Sequence, residues 1–382
     1  MTAQYTEKQA FEIGFQVAMF NNIAFAAWRM PLSNQRNICI GKTIVAKENT
    51  LPTTKGFLFH PYDEQASGQF IQSELSILTN NGSVKIDASN NELLNGLESF
   101  QINNPTYYTN DSAFALDIDK NEFLKYVTQS VEAIKDHTFQ KVVPARSKQV
   151  NLTMPFDLFS NFDALCKAYP NAFVSVVSIP NVGTWIGATP EVLIGVAENH
   201  FQTVSLAGTQ KHDPTQPLSE VAWTQKEIEE QAMVSRYIIN CFKKIRLREF
   251  EEAGPKTVIA GNLIHLKTNF KVDMKVTDTP QLGSTMLDLL HPTSAVCGMP
   301  KVNASDFIKQ HENGNREFYS GYLGPVNYQE ETHLFVNLRC MQLLENTVIL
   351  YAGAGVTEDS NPEKEWLETE LKMNTLLNII KL

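Results

Sequence analysis

The sequence predicts an α+β fold. Short apolar or β-branched runs outnumber long amphipathic stretches. Their order does not follow the steady strand–helix–strand alternation of a doubly wound sheet. Of the 382 residues, 43% are apolar and 10% aromatic, enough to fill a large core, and the charged share of 19% excludes a disordered or coiled-coil chain.

The elements follow in chain order. Residues 11–28 are apolar and aromatic-rich. Gly56-Phe57-Leu58-Phe59-His60-Pro61 reads as a strand ending in a turn. Asn80-Asn81-Gly82 and Asn103-Asn104-Pro105 read as loops or hairpin turns. Phe123, Val127, Val131 and Ile134 recur at helical spacing and predict a helix over 120–136. The run Lys141-Val142-Val143-Pro144-Ala145-Arg146-Ser147 predicts a strand with a bulge or edge at the proline, which has no N–H to give a ladder. Further strands are expected over 172–177, over 184–187 before a Thr189-Pro190 turn, and from Glu191 onward. Thr224 and Glu227 form a capping box that opens a long helix over 224–247. Strands near 332–340 and 346–352 precede a last helix, with Ser360 as its cap and Glu363 closing the box.

Charge and composition exclude several function classes. Lys and Arg number 32 against 42 Asp and Glu, a net charge of −10, so there is no electrostatic footprint for nucleic acid. An anionic small molecule would need a local cationic site or a bound metal. No run approaches the roughly 18–20 apolar residues of a membrane span. The first ten residues lack the basic and apolar regions of a signal peptide. Five scattered cysteines form no C-x-x-C pair, which suggests reduced thiols and a cytoplasmic location. There is no internal repeat and no linker.

Several residues could do chemistry. Glu365, Glu368 and Lys372 share one face of the last helix, where two carboxylates could hold a hard cation such as Mg²⁺; a solvated Glu368–Lys372 pair is the plainer alternative. The small residues of Tyr351-Ala352-Gly353-Ala354-Gly355 let backbone N–H groups approach an anion, but Glu358 stands where a dinucleotide fingerprint needs a third glycine. Glu230 lies in line with Val234, Tyr237 and Cys241, so if that stripe is buried the carboxylate must be paired, protonated or metal-bound; otherwise it marks an exposed helix start. Lys141 opens an apolar strand and, if withdrawn from water, could serve as a general base. Glu191 beside the Thr189-Pro190 turn is a candidate acid. His291 could be a base or a buried turn histidine. Arg339, alternating out of a strand, could fork a carboxylate or lie on a sheet surface.

The order of these blocks resembles the chorismate-utilising enzyme family. The blocks are Lys141 to Ser147, Gly187-Ala188-Thr189-Pro190-Glu191, Leu206-Ala207-Gly208-Thr209, Lys226 with Glu230, Leu290 to Gly298, Tyr319-Ser320-Gly321, Arg339-Cys340, and Gly353 through Glu365, Glu368 and Lys372. They span roughly 120–382, whereas 1–115 match only loosely and are expected to complete the sheets. The resemblance implies one large α+β domain over 1–382: two stacked, mostly antiparallel sheets with helices outside and the site between them.

Within the family, the branch that converts chorismate to isochorismate is the most similar. Members that add ammonia carry glutamine where Lys141 stands, and Ala207 replaces the nucleophilic lysine of another branch. The resemblance implies Lys141 as base and Glu191 as acid. It implies Mg²⁺ on Glu230 and Glu368, with Glu365 through water. Arg339 and Lys372 would bind the enolpyruvyl carboxylate, and backbone of Gly208, Thr209, Ala295 and Gly353 would line the pocket. It implies no nucleotide or flavin, no amidotransferase subunit, no nucleic acid or membrane partner, and a monomer. Product use in menaquinone or siderophore synthesis stays open. The rivals are a salicylate-forming member, an ammonia-adding subunit, and a non-catalytic chorismate-binding protein on the same fold. Ser205-Leu206, Gln231, Pro144 and Ser294 depart from the usual family residues without removing a catalytic group.

Overall fold

The computed structural model describes residues 5–46, 50–99, 107–110, 116, 118–260 and 263–382, and the Asn103-Asn104-Pro105 loop lies outside them. Among the described residues the fold is built on two nine-stranded sheets, with a small two-stranded one beside them. The first runs Ser83–Ala88, Leu75–Asn80, Arg36–Gly41, Ala24–Arg29, Phe173–Ile179, Gly183–Thr189, Cys340–Leu343, Thr347–Gly353, Ala145–Asn151. The second runs Glu251–Ala260, Leu263–Asp273, His200–Lys211, Val192–Ala197, Thr332–Val336, Tyr322–Val326, Gly56–His60, Gly68–Gln72, Thr43–Ala46. Neighbours pair antiparallel, as in Phe25↔Ser178 and Leu323↔Phe59. The N-terminal part therefore supplies strands to both sheets.

Central strands are buried on both faces, which is why they read as continuous apolar runs rather than alternating ones. In Phe173–Ile179 the side chains of Phe173, Val177 and Ile179 enter the core between the sheets. Val174 and Val176 point the other way, into a second core under the outer helices. Aromatic rings join the two sheets: Phe173 stacks on Phe335 at 4.1 Å between centroids and Trp28 meets Phe57 at 5.2 Å. The helices Glu7–Phe20 and Leu158–Ala168 cover the first sheet. Gln225–Lys244 and Leu282–Leu290 cover the second. A smaller cluster packs Lys120–Lys135 and Lys301–His311 around Val142 and Val356.

Local sequence explains many boundaries. Asn81 and Gly82 take φ of 50° and 85°, closing the hairpin between Leu75–Asn80 and Ser83–Ala88. The Thr224 N–H donates to Glu227 Oε2 at 2.8 Å, and the helix ends at Lys244, short of 247.

Three expectations need correction. The last helix begins at Pro362 with Asn361 as its cap, accepting from Lys364 N at 3.1 Å, while Ser360 Oγ instead accepts from Thr357 N. The run over 332–340 splits into Thr332–Val336 and Cys340–Leu343, leaving Arg339 in the connection with φ 45° rather than in a strand. Pro144 divides 141–147 into Lys141–Val142, paired with Gly298–Met299, and Ala145–Asn151 at the edge of the first sheet.

All five cysteines are buried and free. Among the described residues no helix is long and apolar enough to cross a membrane.

Candidate active site

The chain passes between the sheets twice at one place. Gly183–Thr189 belongs to the first sheet and Val192–Ala197 to the second, so Pro190 and Glu191 make one crossing. Thr332–Val336 and Cys340–Leu343 make the return, through Asn337, Leu338 and Arg339. Hydrogen bonds lock the crossings side by side: Val336 N to Glu191 O at 2.9 Å, Ala188 N to Arg339 O at 3.0 Å, and Thr189 Oγ1 to Val336 O at 2.6 Å. Glu191 and Arg339 are thus brought together where neither sheet continues.

A cavity opens there, lined by Lys141, Glu191, Glu230, Arg339, Glu368 and Lys372, with Gly208, Thr209, Ala295 and Gly353 in its walls. Of the residues singled out from sequence, Glu365 and His291 fall outside this lining. Glu365 is 2% exposed, and its Oε1 accepts from Lys226 Nζ at 2.7 Å. His291 packs among the rings of His60 and Tyr322 instead, and burial pushes its imidazole down to about 3, so it is no base for this cavity.

Lys141 is 1% exposed and donates from Nζ to Glu230 Oε1 at 2.7 Å. Burial alone would push the Glu230 carboxyl up; the Lys141 ammonium, with Lys372 and Lys226, overrides it and holds Glu230 below the usual range. Glu230 Oε2 also accepts from Gly208 N at 3.3 Å. A bulge between Ala207 and Gln210 makes that contact possible, with Gly208 at φ +68°. Gly355 completes this corner. A Cβ there would lie 2.7 Å from Glu230 Oε1 and 3.1 Å from Lys141 Cε, so a side chain at this position would displace the pair.

Glu191 is 6% exposed. Burial pushes its carboxyl up to about 7, although Lys141, Arg339 and Lys372 pull the other way. A carboxyl so placed can donate a proton near neutrality. Arg339 makes no ion pair among the described residues, leaving its guanidinium free for an anion in the cavity. Lys372 Nζ donates to Gly353 O at 2.7 Å and pairs with Glu368 Oε1 at 2.8 Å. The plainer i, i+4 pair and the cavity position are therefore both present.

Two polar lining residues were given no role from the sequence: Tyr319, quoted only as part of a family block, and His265. Tyr319 is 3% exposed. His265 donates from Nδ1 to Gly208 O at 2.7 Å, which leaves Nε2 as a buried acceptor with no partner among the described residues. Burial first, then Arg339, pushes this imidazole down to about 3, so it is neutral. The one available signal was a lone histidine in an apolar strand, which is no different from an ordinary sheet histidine.

The three acidic residues expected to hold Mg²⁺ each carry a lysine: Glu230 with Lys141, Glu365 with Lys226, Glu368 with Lys372. Among the described residues no three carboxylate, histidine or cysteine side chains stand as a ready-made metal cluster. The donor chemistry nevertheless suits a hard dication. Burial and then the neighbouring Glu368 charge push the Glu365 carboxyl up, a repulsion that a dication relieves.

A family model described as chorismate binding enzyme matches residues 66–381. The chain is 26% identical over 269 residues to the isochorismate synthase EntC of Escherichia coli K12, covering 69% of this chain and 68% of that protein. It is 26% identical over 353 residues to the isochorismate synthase MenF of Bacillus subtilis 168, covering 85% and 74%. The structure of the menaquinone-specific isochorismate synthase MenF from Escherichia coli superimposes with a TM-score of 0.79 at 19% identity, over 99% of this chain and 94% of that one.

Proposed function

The chain belongs to the chorismate-binding enzyme family, and on that premise we propose that it is an isochorismate synthase, a hydroxymutase that converts chorismate reversibly to isochorismate. One observation carries the reading: a buried lysine and a carboxyl pushed up to about 7 line the same cavity, beside an arginine with no ion pair among the described residues.

The residues divide the work as follows. Arg339 and Lys372 take the enolpyruvyl carboxylate of chorismate, with Gly208, Thr209, Ala295 and Gly353 shaping the walls. Glu230 and Glu368, with Glu365 through water, would hold Mg²⁺, which when bound would supply positive charge for the ring carboxylate. A lysine acts as a base only in its uncharged form. With Mg²⁺ bound, the Glu230 carboxylate would share its charge with the dication as well as with Lys141. Lys141 then removes a proton from water as the oxygen bonds to C2. The double bonds shift, and the C4 hydroxyl leaves with the proton of Glu191. One water enters and one leaves, so the product is an isomer and no redox cofactor takes part. The reading includes a cytoplasmic, monomeric enzyme acting without an amidotransferase subunit.

The test is product identification by NMR after mixing the full chain with chorismate and Mg²⁺. Isochorismate is expected. Salicylate as the main product, or no conversion at all, would overturn the proposal.

A further inference from the structure

The strand that carries Lys141 is two residues long and ends at a break. Lys141–Val142 has a two-residue ladder with Gly298–Met299 and a single bridge from Val142 to Val356. Pro144 has no N–H to offer, and Ala145 already belongs to another sheet. A segment tethered so briefly needs another support if Lys141 is to stay in register with the cavity.

Arg316 provides it from outside the cavity. Its guanidinium is 2% exposed and forks onto two walls, Nη2 to Val143 O at 2.7 Å and Nη1 to Val296 O at 2.7 Å. Nε donates to Glu312 Oε2 at 2.8 Å and Nη2 also bonds Glu312 Oε1. That same Oε1 accepts from Ala145 N at 3.0 Å. The Arg316–Glu312 pair thus takes up the Val143 carbonyl and the Ala145 N–H on either side of Pro144, in place of the ladder the proline interrupts. The Arg316 carbonyl accepts from Tyr319 N at 2.9 Å. Val143, Val296 and Tyr319 all line the cavity, so this one residue joins three of its walls, two through its side chain and one through its carbonyl. A buried ion pair is weak grounds for stability, because desolvation offsets its attraction. The planar fork of arginine, which lysine cannot reproduce, is what spans two carbonyls at once.

We propose that Arg316 is a positioning residue for catalysis, acting through Lys141 and the Ala295–Val296 wall, with Glu312 as its anchor. The proposal rests on the reading of Lys141 as the base, and wild-type turnover measured in the same assay separates failure of that reading from failure of this one.

The test uses Arg316→Lys, Arg316→Ala and Glu312→Gln in the full chain. Circular dichroism gives the folded fraction, and steady-state kinetics follow chorismate with Mg²⁺. Arg316→Lys is expected to stay folded and lose kcat roughly a hundredfold while KM stays within about threefold, because misplacing a catalytic group affects the chemical step more than binding. Glu312→Gln is expected to move kcat in the same direction by a smaller factor. Added methylguanidinium is expected to restore part of kcat in Arg316→Ala. An unchanged kcat per folded molecule in Arg316→Lys, with only a lower melting temperature, would overturn the proposal. Loss of fold in all three variants would overturn it as well, since positioning would then be inseparable from folding.

Discussion

Glu191→Gln should make the enzyme inactive and, at alkaline pH, more stable. The Glu191 carboxyl is pushed from 4.5 up to about 7 in the fold, chiefly by burial. Between those values the folded protein binds more protons than the unfolded chain. The stability contributed by this group is therefore full below 4.5 and lost as pH rises through about 7. At about 1.4 kcal/mol per unit, the raised pKa of Glu191 costs the fold about 3 kcal/mol at pH 8 and about 1 kcal/mol at pH 5. Glutamine has nearly the same shape and no charge. Its amide finds no ready partner, which subtracts a term that does not depend on pH. The informative quantity is thus the difference between two pH values. Urea unfolding of both proteins at pH 8 and pH 5 should show the variant gaining about 2–3 kcal/mol more at the higher pH. The wild-type rate should fall as pH climbs past about 7, as the acid loses its proton. A stability difference that is flat with pH would refute the assignment of Glu191 as a buried, proton-holding acid.

Lys141→Ala should remain folded but lose turnover by on the order of a thousandfold or more, since the residue assigned as base is removed; rapid-quench assays with excess enzyme would reveal any residual rate. Gly355→Ala forces a Cβ to 2.7 Å from Glu230 Oε1, so turnover should drop by roughly tenfold or more with the fold intact by circular dichroism. Glu368→Ala should abolish both activity and Mg²⁺ binding by calorimetry, leaving Lys372 without its 2.8 Å partner. Near-wild-type behaviour in any of these would remove the role assigned to that residue.

Local chemistry was legible in the sequence where it acts over a few residues. The Thr224/Glu227 box and the Asn81-Gly82 turn stand where spacing and backbone preference put them. Competition between adjacent caps was not legible. Ser360 and Asn361 are both good caps, and the choice of Asn361 is settled because Ser360 Oγ is taken by Thr357 N. Long-range pairing was hidden for a similar reason. Strands such as Gly56–His60 and Ala24–Arg29 look alike in sequence yet join different sheets. Arg339 was assigned to a strand because Phe335 to Cys340 is apolar around it; the crossing between sheets is a tertiary feature. His265 and Arg316 carried no spacing signal, since each acts through backbone carbonyls that only the fold brings near. Lys141 and Glu191, by contrast, were visible as charged groups beside apolar strands and turns, and the structure adds the pairing of Lys141 with Glu230.

The most direct test follows the oxygen. Turnover of unlabelled chorismate in ¹⁸O-enriched water, stopped early and read by mass spectrometry and ¹³C NMR, reports the source of the C2 hydroxyl. Attack by a solvent water that Lys141 deprotonates predicts one heavy oxygen at C2 of isochorismate. An isochorismate whose C2 oxygen is light, carried over from C4 within the substrate, would contradict it.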